Sequence, residues 1–191
     1  MKKLMILALA LALAACEDAP STYHPAPLTF NGGPMMVNVA KITITDHYQS
    51  PMRRPNVEQE FPVSPDNAVK QWVNSRLKAN GSSGTLDVEI HEASATEAKL
   101  PVTQGVKGLF TDDQDRRYDT KISVTYRLYE DGGNAARATG DVVVTRSKTL
   151  NERATMDDRT ALYANLTNAL MGDFDRESVS RLRQYFGSYL R

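Results

Sequence analysis

Apolar and polar residues alternate most strictly between Arg117 and Tyr129. Tyr118, Thr120, Ile122, Val124, Tyr126 and Leu128 fall on one side, and Asp119, Lys121, Ser123, Thr125 and Arg127 on the other. A period of two marks a strand with one face buried. Glu130-Asp-Gly-Gly-Asn134 follows, rich in residues that accept positive φ, and predicts a hairpin turn. Residues 135–149 then return as the partner strand. Ala136, Ala138, Val142 and Val144 share a face there, and small Ala and Gly140 leave room for a helix to pack closely. Thr85–Ala93 alternates as well, with Leu86, Val88 and Ile90 inward and Asp87, Glu89 and His91 outward. Met35–Thr45 reads as a first strand. Its phase slips at Ala40-Lys41, which predicts a bulge or a strand buried on both faces.

Two stretches carry the helical period. Ser64 is placed to cap a helix with Pro65 at its first position and Asp66 at its positive end. Val69, Trp72, Val73 and Leu77 form its apolar stripe, and Gly81 after Asn80 is read as its stop. Trp72, the single tryptophan, is expected as a core anchor. Thr155 with Asp158 opens a second helix in the manner of a capping box. Leu162, Leu166, Leu170, Phe174, Leu182, Tyr185, Phe186 and Tyr189 give it one apolar face. Gly172-Asp173 predicts a kink or a break, since glycine costs about 1 kcal/mol in a helix interior. Arg181, Arg183 and Arg191 suit the negative end of its dipole.

Elsewhere the pattern fades. Residues 46–63 hold Pro51, Pro55, Pro62 and the pair Arg53-Arg54. Long unpatterned loops are often functional, so His47, Tyr48, Arg53 and Arg54 are candidate partner contacts, with a solvated surface loop as the plainer alternative. Lys121 and Arg127, on the polar side of the strongest strand, join that candidate surface with Thr125, Arg137 and Thr139. Residues 17–34 hold four prolines and Gly32-Gly33, which predicts a tether that is stiff in places and loose in others. Tyr23 and His24 are expected to be solvated within it.

The chain begins with Lys2-Lys3 and a run of 12 apolar residues from Leu4 to Ala15. The run is too short to span a hydrocarbon core of about 30 Å as a helix. A cationic start, a short apolar middle and small residues before a cut are the features of a secretory signal. With residues 1–15 removed, 21 basic residues face 23 acidic ones, for a net charge of −2. No global basic field is available to attract nucleic acid.

Leu13-Ala14-Ala15-Cys16 closes that signal, and Cys16 is the chain's only cysteine. The four residues resemble the lipobox of bacterial lipoproteins. The resemblance implies that Cys16 receives an S-diacylglycerol and, after cleavage before it, an N-acyl chain. One chain binds a membrane marginally, whereas two or three on one residue make attachment effectively permanent. With its thiol so used, no disulfide can form. Glu17-Asp18 follow the anchor and fit the familiar sorting rule poorly. The expected location is the cell envelope facing the periplasm, with the outer membrane favoured over the inner.

The order strand, helix, strand, strand, strand, helix predicts an α+β, two-layer sandwich: a mainly antiparallel four-stranded sheet packed by two helices. The expected layout is a signal over 1–15, a lipidated tether over 16–34 and a single periplasmic domain over 35–191. Taken with the lipobox, this order resembles accessory lipoproteins of envelope transport, namely LPS-assembly lipoproteins of the LptE type and ABC-transport auxiliary lipoproteins of the PqiC type. The most suggestive local piece is the Asp112–Arg117 turn entering Tyr118-Asp-Thr-Lys-Ile-Ser-Val. The resemblance implies a non-enzymatic scaffold that binds a barrel, a transporter subunit or a lipid.

Motifs for catalysis are missing from the sequence. The three histidines, His24, His47 and His91, fall in a tether, a loop and a strand. There is no Gly-x-Ser-x-Gly, phosphate loop or His-Glu-x-x-His. Asp112-Asp113-Asp115 and Asp157-Asp158 fall where turns and helix starts explain them. Glu89, His91 and Glu92 hint at metal ligation, but no further ligand stands nearby in sequence. The expectation is therefore no metal and no cofactor other than the covalent lipid. A lipid- or glycolipid-binding carrier is the alternative function, and a hydrolase whose triad assembles in space is the third.

Overall fold

A computed structural model of the protein describes residues 22–30, 32–101, 113–131 and 133–191. Its strands and helices run in the order β1 (Met35–Val37), β2 (Lys41–Asp46), α1 (Pro65–Arg76), β3 (Leu77–Ala79), β4 (Thr85–Lys99), β5 (Gln114–Tyr129), β6 (Ala138–Asn151) and α2 (Met156–Phe186). Short 3₁₀ turns cover Glu58–Glu60 and Gly187–Tyr189. The four-stranded sheet has the order β2-β4-β5-β6, with β2 parallel to β4 and the other pairs antiparallel. A parallel pair needs a long crossover, and α1 lies in the one joining β2 to β4. The α+β class, the four strands and the two helices are those the hydrophobic pattern predicts.

A second sheet was not expected. β1 and β3 pair in parallel as a two-stranded sheet, Met35 opposite Leu77 and Val37 opposite Ala79. The phase slip at Ala40-Lys41 thus marks the chain leaving one sheet for another rather than a bulge. The same pairing corrects the end of the first helix, which stops at Arg76. Leu77–Ala79 straighten because Asn80 and Gly81 donate their N–H groups to Val37 and Val39 carbonyls, at 2.8 and 2.9 Å. Gly81 does not cap the helix. A Cβ there would lie 2.6 Å from the Asn38 carbonyl carbon, so the residue permits close backbone approach.

The helix starts follow their sequence signals. Ser64 Oγ accepts from the Asn67 N–H, with Pro65 at the first turn. Thr155 and Asp158 form a reciprocal capping box. The break expected at Gly172-Asp173 does not occur: α2 runs unbroken for 31 residues. Met171, Phe174 and Leu170 bury their side chains around that point. Packing on both sides outweighs the glycine's modest helix penalty.

The core lies between the sheet's inner face and the two helices. Leu86, Val88, Ile90, Ile122, Val124, Tyr126, Leu128 and Val142 meet Val69, Trp72, Val73, Leu170, Phe174, Leu182 and Phe186. Trp72 is fully buried as expected, packs edge-on against Phe174 at 5.1 Å and donates from Nε1 to Asp175 at 2.7 Å. Gly140 lets α2 approach, since a Cβ there would stand 3.2 Å from the Phe186 ring. Tyr126 Oη donates to Ser178 Oγ at 2.8 Å, tying sheet to helix inside the core.

The loop 46–63 is ordered. Val57 and Phe61 join Ala95, Tyr118, Leu150, Leu162, Tyr163 and Leu166 in a smaller cluster at one end of the sandwich. The segment read as a tether is also docked from Thr22 onward. Asp157 in the first turn of α2 accepts from the Thr22 and Tyr23 N–H groups at 2.7 and 3.1 Å, and from Thr22 Oγ1 at 2.8 Å. Leu28 and Phe30 then pack against the main core, and Arg76 donates to the Gly33 carbonyl.

Candidate functional site on the outer face of the sheet

Strand pairing sets the polar side chains of four strands in rows. Thr43, Thr45 and then His47 come from β2 and its continuation, Glu89 and His91 from β4, Thr125 and Arg127 from β5, and Asp141 from β6. Register places Thr45 opposite Glu89, Glu89 opposite Thr125, and Thr125 opposite Asp141. β4 carries an irregularity between Ile90 and Glu92, so His91 is an extra residue. Such a bulge re-aims side chains. It also resets the inward phase, from Leu86, Val88 and Ile90 to Ala93 and Ala95, all buried.

Most charges on this face are paired. Lys121 bridges Glu92 at 2.7 Å, and Arg127 bridges Glu89. Thr43 and Thr45 hydroxyls donate to Asp87 at 2.9 Å, and Thr125 to Asp141 at 2.7 Å. Glu89 is only 6% exposed, so its place on the solvent side does not make it solvated. The Coulomb field of Glu89 also holds the Arg127 guanidinium above its ordinary pKa.

The candidate contact residues divide. His47, Lys121 and Arg127 lie on the outer face. Tyr48 turns into the 46–63 loop instead and donates to Glu58, which also accepts from Ser50 Oγ at 2.9 Å, Asn56 Nδ2 at 2.7 Å and the Ala95 N–H at 2.9 Å. Burial pushes the Glu58 carboxyl up, yet these donated hydrogen bonds together hold it below the usual carboxylate range. Burial and the Glu58 charge push the Tyr48 phenol up. Arg54 bridges Glu60 and Glu97, both at 2.8 Å, so it staples the loop to β4. Arg53 is exposed. Arg137 bridges Glu130 at 3.0 Å, at the far end of the hairpin. Leu13, Ala14, Ala15, Cys16 and Asp112 lie outside the described residues.

The structure brings together three residues that the sequence keeps apart. The His47 N–H donates to the Ile90 carbonyl at 2.9 Å, continuing the parallel pairing one step beyond β2. Its ring stacks against that of His91, centroids 5.5 Å apart and planes within 8°. One ligand atom each of His47, Glu89 and His91 lies within 4.8 Å of the others. The expectation that Glu89 and His91 lack a third ligand is therefore corrected. The usable signals were the two-residue step Thr43, Thr45, His47 and the phase slip at His91.

A hydrolytic reading of the same residues meets an obstacle. His91 Nε2 lies 3.0 Å from Thr125 Oγ1 and 3.5 Å from Glu89 Oε2. In a triad the nucleophile gives its proton to the imidazole, and the acid holds the opposite nitrogen. Here the Thr125 hydroxyl donates to Asp141, and Glu89 approaches the same nitrogen as Thr125.

A cleft of about 210 Å³ lies between the docked segment and α2, lined by Pro25, Leu28, Pro62, Val63, Ala164 and Thr167 among others. Among the described residues, no helix is long and apolar enough to cross a membrane.

No family model matches the chain, and no curated protein does. Solved structures of similar shape include protein XCC0632 from Xanthomonas campestris, of family DUF330, at 12% identity over 85% of this chain and 96% of that one, with a TM-score of 0.40. Uncharacterized lipoprotein B from Nitrosomonas europaea aligns at 11% identity over 83% and 97% of the two chains, with a TM-score of 0.41. A minor lipoprotein from Acinetobacter baumannii aligns at 13% identity over 81% and 96%, with a TM-score of 0.36. Likeness at this level assigns the chain to no family.

Proposed function

We propose that this protein is a lipid-anchored envelope lipoprotein whose domain serves as a non-enzymatic accessory subunit of a transport or assembly complex. The observation that carries the anchor is Leu13-Ala14-Ala15-Cys16 directly after a cationic, apolar leader. In this reading Cys16 bears S-diacylglycerol and N-acyl chains, and the domain faces the periplasm, on the outer membrane by preference.

The docked segment adds a geometric consequence. Thr22 lies six residue steps after Cys16, and extended chain reaches at most about 3.6 Å per residue. The start of α2, where Thr22 docks, would therefore lie within about 20 Å of the anchor.

Crosslinking mass spectrometry on native membranes tests both halves together. The expected result is crosslinks from the outer face, Lys121 above all, to an envelope protein. Crosslinks confined to this chain would overturn the accessory role.

A further inference from the structure

We propose that His47, Glu89 and His91 form a binding site for a zinc-class divalent transition ion. Two imidazoles and one carboxylate suit zinc and its late first-row neighbours, whereas calcium and magnesium prefer all-oxygen sets. The ligands come from two paired strands, and the bulge at His91 turns the third one toward the other two.

The spacing fits. Ligand atoms of a tetrahedral zinc stand about 3.3–3.6 Å apart, given bonds of about 2.0–2.2 Å. His91 Nε2 and Glu89 Oε2 are 3.5 Å apart. His47 is exposed, and its ligand atom, within 4.8 Å of the others, needs a side-chain shift of only about 1 Å to close the set. The two imidazoles lie on the same side of the sheet, and one ring must rotate out of their near-parallel stacking to bring both lone pairs onto one ion.

The surroundings supply what ligands of this kind need. Glu89 is 6% exposed and its two oxygens have separate partners: Oε1 holds Arg127, and Oε2 faces His91. Arg127 thereby orients the carboxylate for one-oxygen ligation and offsets its charge. Thr125 gives its hydrogen to Asp141, so in the ion-free chain His91 Nε2–H donates to Thr125 Oγ1, a contact and a proton that ligation through Nε2 would displace. Three protein ligands leave a fourth position toward solvent, open to water or to a donor from a partner. Like-charged neighbours that would repel the ion are few: Arg127 is already paired to Glu89, and Lys121 to Glu92.

Titration of the chelator-treated, full-length chain in detergent micelles with zinc chloride tests the site by calorimetry. One zinc per chain is expected. His47→Ala, His91→Ala and Glu89→Gln should each weaken binding at least about tenfold, the lower end of what even an outer partner of a metal ligand contributes. His24→Ala, the remaining histidine, should change nothing. Because a variant could misfold, cobalt(II) substitution of the unmutated chain gives a second reading, with intense visible bands of tetrahedral coordination expected. Substoichiometric zinc, unchanged affinity in both His47→Ala and His91→Ala, or an octahedral cobalt spectrum would each overturn the assignment.

Discussion

The two faces of the four-stranded sheet share one backbone and do different work. The inner face buries Leu86, Val88, Ile90, Tyr126 and Leu128 against Trp72, Phe174 and Phe186, each almost without exposure. Full burial of such side chains stabilises by roughly 1.5–3 kcal/mol apiece. The outer face carries Lys121–Glu92 and Arg117–Asp119 pairs near solvent. Exposed pairs typically contribute about 0–1 kcal/mol. Stability thus resides on one side, which leaves residues on the other free to serve a ligand or partner.

Mutations should reveal this asymmetry as a descending series. Phe174→Ala, which opens a cavity beside Trp72, should cost about 3–5 kcal/mol in urea unfolding. A loss below 1 kcal/mol would show that the helix–sheet core is not the source of stability. Gly140→Leu should cost about 1–3 kcal/mol, because the new side chain meets the Phe186 ring. Lys121→Ala, on the opposite face, should cost under about 1 kcal/mol while removing the main crosslinkable amine.

Glu58 sharpens the comparison, since it is a buried charge in the smaller cluster rather than on either face. Its carboxyl lies below the ordinary value of 4.5 in the fold. The ionised form is therefore the one the fold favours. Its contribution is present above the unfolded-state value and is lost as pH falls through the lower folded value. Acid unfolding monitored by Tyr and Trp fluorescence should show stability declining below about pH 4.5, and Glu58→Gln should flatten that decline. An unchanged acid profile in the variant would place the sensitivity elsewhere.

Much of this architecture was legible in the sequence. The alternation from Tyr118 to Leu128 and the Gly-Gly turn marked β5 and β6, and Thr155 with Asp158 marked the start of α2. What escaped detection depended on tertiary pairing. Gly81 has the look of a helix stop, but its purpose is close approach to Asn38. Gly172 has the look of a helix breaker, but buried neighbours on both sides keep the helix continuous. The proline-rich stretch after Thr22 looks like a free spacer until Asp157 is seen to accept its N–H groups. His47 could not be matched to His91 because 43 residues, a loop and α1 separate them, and only parallel pairing of β2 with β4 makes them neighbours.

Membrane attachment through Cys16 is tested most directly by the covalent state of the chain's own N-terminus. Intact and peptide mass spectrometry of protein extracted from membranes should find residue 16 as the first residue, bearing diacylglycerol and an amide-linked acyl chain. A chain that retains residues 1–15, or that begins elsewhere with an unmodified Cys16 thiol, would contradict it.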